Sequence, residues 1–175
     1  MPRNIEVKAR IDRVEALLTR ARALADGEAQ TIDQDDTFFA VPMGRLKLRQ
    51  FADGRAELIH YHRPDAEQAR ASDYVVVPVP DPAALRTPLA RGCGVLGRVR
   101  KRRLLLLAGQ TRIHLDRVEG LGDFIELEVV LRDGQGDAEG AIVAERLMRE
   151  LGLAGTAHLA TAYLDLLQAA TAPAR

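Results

Sequence analysis

The sequence predicts an α+β fold: one nearly closed barrel of eight mostly antiparallel strands, with helices packed on its outside. Three observations lead there. Eight short segments read as strands separated by turn residues. Several of them alternate a charged residue with an apolar one, so each has an ionic face and an apolar face. The few helical segments are amphipathic and need an apolar surface to cover. The apolar side of the sheet supplies it, which leaves the ionic side facing a lumen.

Asn4 to Ile11 alternates, with Ile5, Val7, Ala9 and Ile11 on one side and Asn4, Glu6, Lys8 and Arg10 on the other. From Asp12 to Leu24 the apolar spacing becomes helical (Val14, Leu17, Leu18, Ala21, Leu24), with Asp12 as N-cap and Gly27 as the stop. Strands follow at Gln30–Val41, Gly44–Phe51, Ala56–Tyr61 and Tyr74–Val79. Asp53-Gly54 between two of them signals a hairpin. Asp81 to Cys93 holds a short helix opened by Pro82. Strands resume at Leu96–Leu107, Gln110–Arg117 and Asp123–Leu131, broken at Ala108-Gly109. Asp137 to Leu151 is helical, with Ile142, Leu147, Met148 and Leu151 as its buried set, and a last helix runs from about Thr156 to Ala169. No repeat or linker divides the chain, so residues 1–170 read as one domain and 171–175 as a frayed tail.

Composition narrows the function. The 175 residues include 25 Lys+Arg against 25 Asp+Glu, which argues against a partner held by bulk charge such as nucleic acid. One cysteine, Cys93, leaves no intrachain disulfide and no cysteine-based zinc cluster. No apolar run is long enough to span a bilayer, and MPRNIEVKAR has no apolar signal core, so a soluble cytoplasmic protein is the expectation.

The charges within the strands carry the chemistry. The inward basic set is Lys8, Arg10, Lys47, Arg49, Arg63, Lys101, Arg103 and Arg112; the acidic set is Glu6, Asp116, Glu126 and Glu128. Burying such groups against each other is expensive unless water or a charged ligand fills the space. Arginine grips phosphate oxygens in a fork and lysine acts as a point charge, so the basic set suits a polyphosphate. Carboxylates beside it would repel that anion unless a divalent cation lies between. Glu126 and Glu128 emerge side by side, about 7 Å apart at the backbone, and with Asp116 they suit Mg²⁺ or Mn²⁺. Basic groups, carboxylates and metal together serve phosphoryl chemistry. His114 reads as a hydrogen-bonded lumen residue, and Tyr163 as a core tyrosine, with a reach into the lumen as its alternative. His60 and His62 show no third ligand for zinc.

The segments NIEVKARI, GRLKLRQF, LIHYHRPD, SDYVVVPV, VRKRR, TRIHLDRVEGLGDFIELEVVL and TAYLDLL carry a family likeness over nearly the whole chain. The sequence resembles the CYTH superfamily, which takes in class IV adenylyl cyclases, thiamine triphosphatases and inorganic tripolyphosphatases. The resemblance implies an eight-stranded antiparallel barrel, open as a tunnel, that binds a triphosphate and a divalent metal. It implies that Lys47, Arg49, Arg63, Lys101 and Arg103 are phosphate-binding, and that Asp116, Glu126 and Glu128 hold metal. Glu6 and Lys8 match the last two positions of the family's N-terminal ExExK signature, with Asn4 standing where the first glutamate would be.

The expected function is therefore metal-dependent hydrolysis of an inorganic or organic triphosphate, with tripolyphosphate, ATP or thiamine triphosphate as the partner molecule. Lys8 is the candidate to activate the nucleophile. A class IV adenylyl cyclase making cyclic AMP and pyrophosphate, and a non-catalytic polyphosphate or nucleotide binder, are the alternatives. The sequence leaves oligomeric state open, a homodimer being common at this size.

Overall fold

The computed structural model describes residues 3–62 and 73–171. Its strands are β1 (Asn4–Arg10), β2 (Gln30–Phe39), β3 (Arg45–Phe51), β4 (Ala56–His62), β5 (Asp73–Pro78), β6 (Val95–Ala108), β7 (Thr111–Val118) and β8 (Gly122–Val130). Its helices are α1 (Val14–Leu24), α2 (Pro82–Cys93), α3 (Asp137–Glu150) and α4 (Tyr163–Thr171). The eight strands form one sheet in the order β1-β8-β7-β6-β2-β3-β4-β5, every neighbouring pair antiparallel. Residues of both edge strands, β1 and β5, line one cavity, so the sheet curls into a half-barrel. The expected α+β barrel with outer helices is what the chain adopts.

Period two sorts the side chains. On the outside of β1, β8 and β7, Ile5, Val7, Ala9, Ile125, Leu127, Val129, Ile113 and Leu115 are buried. They pack under Val14, Leu17 and Ala21 of α1 and Ala144, Leu147 and Met148 of α3. Each such aliphatic side chain stabilises the fold by about 1.5–3 kcal/mol. The intervening charged residues are thereby forced to the inner face.

Helix details depart from the sequence reading where tertiary partners intervene. The α1 N-cap is Arg13, and the first free amide, Val14 N–H, donates to Asp123 Oδ2 at 2.8 Å, so a carboxylate from β8 does the work expected of Asp12. In α3 the expected core residue Ile142 is 63% exposed; Gly140 and Ala144 are buried instead. Gly140 sits where a Cβ would lie 2.5 Å from Leu131 and 2.7 Å from Ile5, which fixes the helix face that meets the sheet. The last helix starts at Tyr163 rather than near Thr156. Leu159 N–H is spent on the Lys8 carbonyl (2.7 Å), covering the open edge of β1, and is lost to helix formation.

A second core closes one end of the lumen. Phe38, Val99, Val118 and Phe124 point inward there and meet Tyr163 and Leu164 of α4. Phe124 and Tyr163 pack edge to face with ring centroids 5.0 Å apart. Gly97 permits the docking, because a Cβ there would stand 2.6 Å from Leu164 Cδ1. The Arg45–Asp165 ion pair (2.6 Å) and the Gln168 bond to the Leu96 carbonyl (3.0 Å) tie α4 down. Among the described residues no helix is long and apolar enough to cross a membrane.

Candidate active site

The half-barrel encloses a cavity of about 310 Å³ to which every strand contributes. One wall is ionic: Glu6 and Lys8 from β1, Glu126 and Glu128 from β8, Arg112 and His114 from β7, Lys101 and Arg103 from β6, and Lys47 and Arg49 from β3.

Two lysine–x–arginine pairs are each held by one buried aspartate. On β3, Lys47 Nζ lies 2.8 Å from Asp36 Oδ2, and Arg49 forks onto both oxygens of Asp36 at 2.7 Å. On β6, Lys101 Nζ lies 2.8 Å from Asp116 Oδ2, and Arg103 forks onto the same carboxylate at 2.7 Å. Sheet register makes both forks: Asp36 is opposite Arg49, and Asp116 is opposite Arg103. Burial alone would raise the Asp36 and Asp116 carboxyls, but the adjacent cations outweigh it and hold both well below the usual carboxylate range. For both lysines the balance reverses, and burial outweighs the partner charge. Burial, then the neighbouring arginine, pushes Lys47 down to about 8 and Lys101 down to about 8.

Tyr163 joins the second group. Its hydroxyl donates to Asp116 Oδ2 at 3.1 Å, and its ring lies between Lys8 Nζ (4.4 Å from the centroid) and Lys101 Nζ (5.0 Å). Lys8 also donates to the Thr161 carbonyl at 3.3 Å. The lysines are thus oriented by an aromatic ring delivered from the C-terminal helix.

The glutamates occupy the β1–β8 side. Glu126 is opposite Lys8 and 3.4 Å from Arg103; Glu128 is opposite Glu6 and 3.0 Å from Arg112. Burial would raise Glu126, but Lys8, Arg103 and Lys101 hold it well below the usual range. The Asn4 amide donates to Glu128 Oε1, while Asn4 Oδ1 is buried and has no hydrogen-bond partner among the described residues. Burial, then Arg103, pushes His114 down to about 3, so it is neutral. Its Nε2 stands 3.9 Å from Glu128.

With this geometry in hand, the comparison with known families is decisive: the model of the CYTH domain matches residues 2–163. The chain belongs to the CYTH family. Among solved structures it is similar to a protein from Pyrococcus horikoshii OT3, at 26% identity and a TM-score of 0.84, over 94% of this chain and 99% of that one. A hypothetical protein from Pyrococcus furiosus is 22% identical with a TM-score of 0.83, over 93% of this chain and 99% of that one. A proposed adenylyl cyclase from Hippeastrum, described as having a dominant triphosphatase activity, is 16% identical with a TM-score of 0.71, over 97% and 96%. These last two likenesses show the shared fold. No curated protein matches the chain.

Several residues of this CYTH domain stand elsewhere than expected. Arg10 is exposed and outside the cavity, donating to the Leu121 carbonyl at 2.6 Å with its guanidinium over the Phe124 ring. Asp116, expected among the metal ligands, is fully buried beneath the basic groups with its oxygens taken by Lys101, Arg103 and Tyr163. Arg63 lies outside the described residues. Arg98, Arg100 and Arg102, the alternate members of RVRKRR, face outward and pair with Asp33, Asp35 and Glu119.

Asp36 is the inward carboxylate that the sequence reading does not single out. It sits among Asp33 and Asp35, a run without alternation, and only the register opposite Arg49 reveals it as the inward one. Tyr163 packs in the second core, and its hydroxyl and ring also reach the cavity, the alternative that its place in the last helix leaves open.

The residues of the β1–β8 side fit a divalent cation. Their donors are hard oxygens, Glu6, Glu126 and Glu128, and the unpartnered buried Asn4 Oδ1 is an acceptor in need of a positive neighbour. Among the described residues no three His, Cys, Asp or Glu side chains converge on one point. Mg²⁺ and Mn²⁺ take one or two carboxylates and complete their shell with water and substrate phosphate.

Proposed function

We propose that this CYTH domain is a divalent-metal-dependent triphosphatase, cleaving the terminal phosphoryl group of a triphosphate bound along the ionic wall. The observation that carries the reading is the pair of buried aspartates, each presenting a lysine and an arginine to the same cavity that the glutamates line beside them. A structural ion-pair network has no need of a cavity; one that orders four cations around a void is built to receive an anion.

In this reading Lys47, Arg49, Lys101, Arg103 and Arg112 bind the phosphate chain. Asp36 and Asp116 hold the cations in place before substrate arrives, so the reorganisation cost is met during folding. Glu6, Glu126 and Glu128 would hold Mg²⁺ or Mn²⁺, which supplies charge neutralisation at the phosphate oxygens when bound. Lys8, whose Nζ lies 4.4 Å from the Tyr163 ring centroid, would orient the attacking water at the terminal phosphorus. Attack there breaks the bond from phosphorus to the bridging oxygen and releases orthophosphate and a diphosphate.

The test is product analysis with pure protein, Mg²⁺ or Mn²⁺, and tripolyphosphate, ATP or thiamine triphosphate. Orthophosphate supports the reading. Cyclic AMP with pyrophosphate from ATP would make the protein a cyclase, and binding without turnover would make it a binder. Glu126→Gln is expected to lose turnover by a factor of 100 or more while keeping part of its substrate affinity, roughly the size of effect seen when a charge-stabilising group is removed.

A further inference from the structure

His114 lines the ionic wall without a task in the proposed reaction. It is 5% exposed, and its Nδ1 is buried with no hydrogen-bond partner among the described residues. Its Nε2 faces Glu128 Oε2 at 3.9 Å, beyond the reach of a hydrogen bond. The sequence predicts a hydrogen-bonded residue here; the structure shows a ring that is enclosed but not bonded. Enclosing a polar ring in this way costs stability, so the position calls for a partner that arrives with the ligand.

Glu128 narrows what that partner is. Its Oε1 accepts from the Asn4 amide and from Arg112 at 3.0 Å, so Oε2 is the oxygen left to face His114. Sheet register sets this up. His114 stands opposite Glu126 and Arg112 opposite Glu128, so the imidazole leans along the ladder to reach Glu128 on the diagonal. Two ligands of one divalent ion, each about 2.1 Å from it, stand about 3–4.2 Å apart. The 3.9 Å between Nε2 and Oε2 falls within that range. An anion in the same gap would meet the Glu128 carboxylate and be repelled. The ring is also uncommitted. One imidazole nitrogen is fixed by the bond that the other makes, and Nδ1 makes none among the described residues, so Nε2 can present its lone pair.

An imidazole changes which ion is preferred. Carboxylate and water alone suit Mg²⁺, whereas a nitrogen ligand favours a first-row transition ion. Resting on the triphosphatase reading, we propose that His114 Nε2 and Glu128 Oε2 are ligands of the same divalent ion, and that this mixed nitrogen–oxygen site selects Mn²⁺ over Mg²⁺. Asn4 and Arg112 are positioning residues that turn the carboxylate towards it. Water and substrate phosphate complete the shell.

The experiment mixes the protein with Mn²⁺ and tripolyphosphate, removes unbound metal on a desalting column, and records pulsed electron paramagnetic resonance on the frozen sample. Coupling to nitrogen reports an imidazole ligand, and coupling to phosphorus reports bound phosphate. The wild type should show both. His114→Gln, which keeps an oxygen donor of similar reach, should keep the phosphorus coupling and lose the nitrogen coupling. Competition by Mg²⁺ gives the selectivity: half-displacement of Mn²⁺ from the wild type should need roughly a tenfold excess or more, and His114→Gln should lower that excess roughly tenfold, the low end of what disturbing a metal site costs in affinity. Phosphorus coupling without nitrogen coupling in the wild type overturns the proposal and leaves the triphosphatase reading standing, whether or not the variant folds. Nitrogen coupling that persists in His114→Gln overturns it as well, as does displacement of Mn²⁺ by an equal concentration of Mg²⁺. A wild type that retains no Mn²⁺ overturns the metal-dependent reading, and this proposal with it.

Discussion

Two lysines that titrate near neutrality should make triphosphate binding strongly pH-dependent. Lys47 and Lys101 are pushed from the ordinary 10.5 down to about 8 by burial and by Arg49 and Arg103. The protonated amine is the form that holds an anion, so binding is strong below pH 8 and is lost as the pH rises through it. Between pH 7 and pH 9 a group with a pKa of 8 goes from about nine-tenths protonated to about one-tenth. If bound phosphate keeps each lysine protonated, affinity falls about tenfold per lysine, and about a hundredfold for both, or about 2.7 kcal/mol. Calorimetric titration of tripolyphosphate across this range measures the fall directly. Lys47→Arg and Lys101→Arg supply the comparison, since an arginine keeps its charge throughout. Each should flatten the dependence to about tenfold. The ligand's own ionisation is the same for all three proteins and cancels in the comparison. Equal pH slopes in the wild type and both variants would refute the assignment of the two lysines to the anion site.

Other perturbations follow from the same geometry. Asp36→Asn removes the charge that holds Lys47 and Arg49, leaving two cations poorly compensated; stability should fall by about 2–4 kcal/mol, read as a drop in chemical or thermal denaturation midpoint. An unchanged midpoint would mean that the Asp36 contacts contribute nothing. Gly140→Ala should cost about 1–3 kcal/mol, because its methyl would overlap Leu131 and Ile5, whereas Ile142→Ala should stay within about 0.5 kcal/mol of wild type. The reverse ranking would put α3 on the sheet by a different face. Removing divalent metal with EDTA should abolish turnover, and Mn²⁺ should restore it. Glu128→Gln should weaken Mn²⁺ binding in the presence of tripolyphosphate, as followed by the electron paramagnetic resonance of free Mn²⁺; unaltered titration would take Glu128 out of the metal site.

Much of this protein was legible in the chain itself because a strand reports its own two faces. Alternation along Asn4–Arg10, Arg45–Phe51, Thr111–Val118 and Gly122–Val130 separated ionic from apolar sides without any knowledge of partners. Amphipathic helices then required the apolar side, which left the ionic side inward. What depends on register stayed hidden. Asp36 is distinguished from Asp33 and Asp35 only by facing Arg49 across the ladder, and Asp116 proved to be a partner of cations because the fold sets Lys101, Arg103 and Tyr163 upon it. Arg10 left the expected set because Phe124 and the Leu121 carbonyl lie within its reach at the strand end. Tyr61 and Tyr74 line the cavity side by side because they are paired across two strands, a relation between residues thirteen positions apart. The local pattern determined which side chains look inward, since that is a property of backbone period and hydrophobicity. Only the tertiary structure decided which inward groups neutralise one another and which are left for a ligand, since that is a matter of distances between strands.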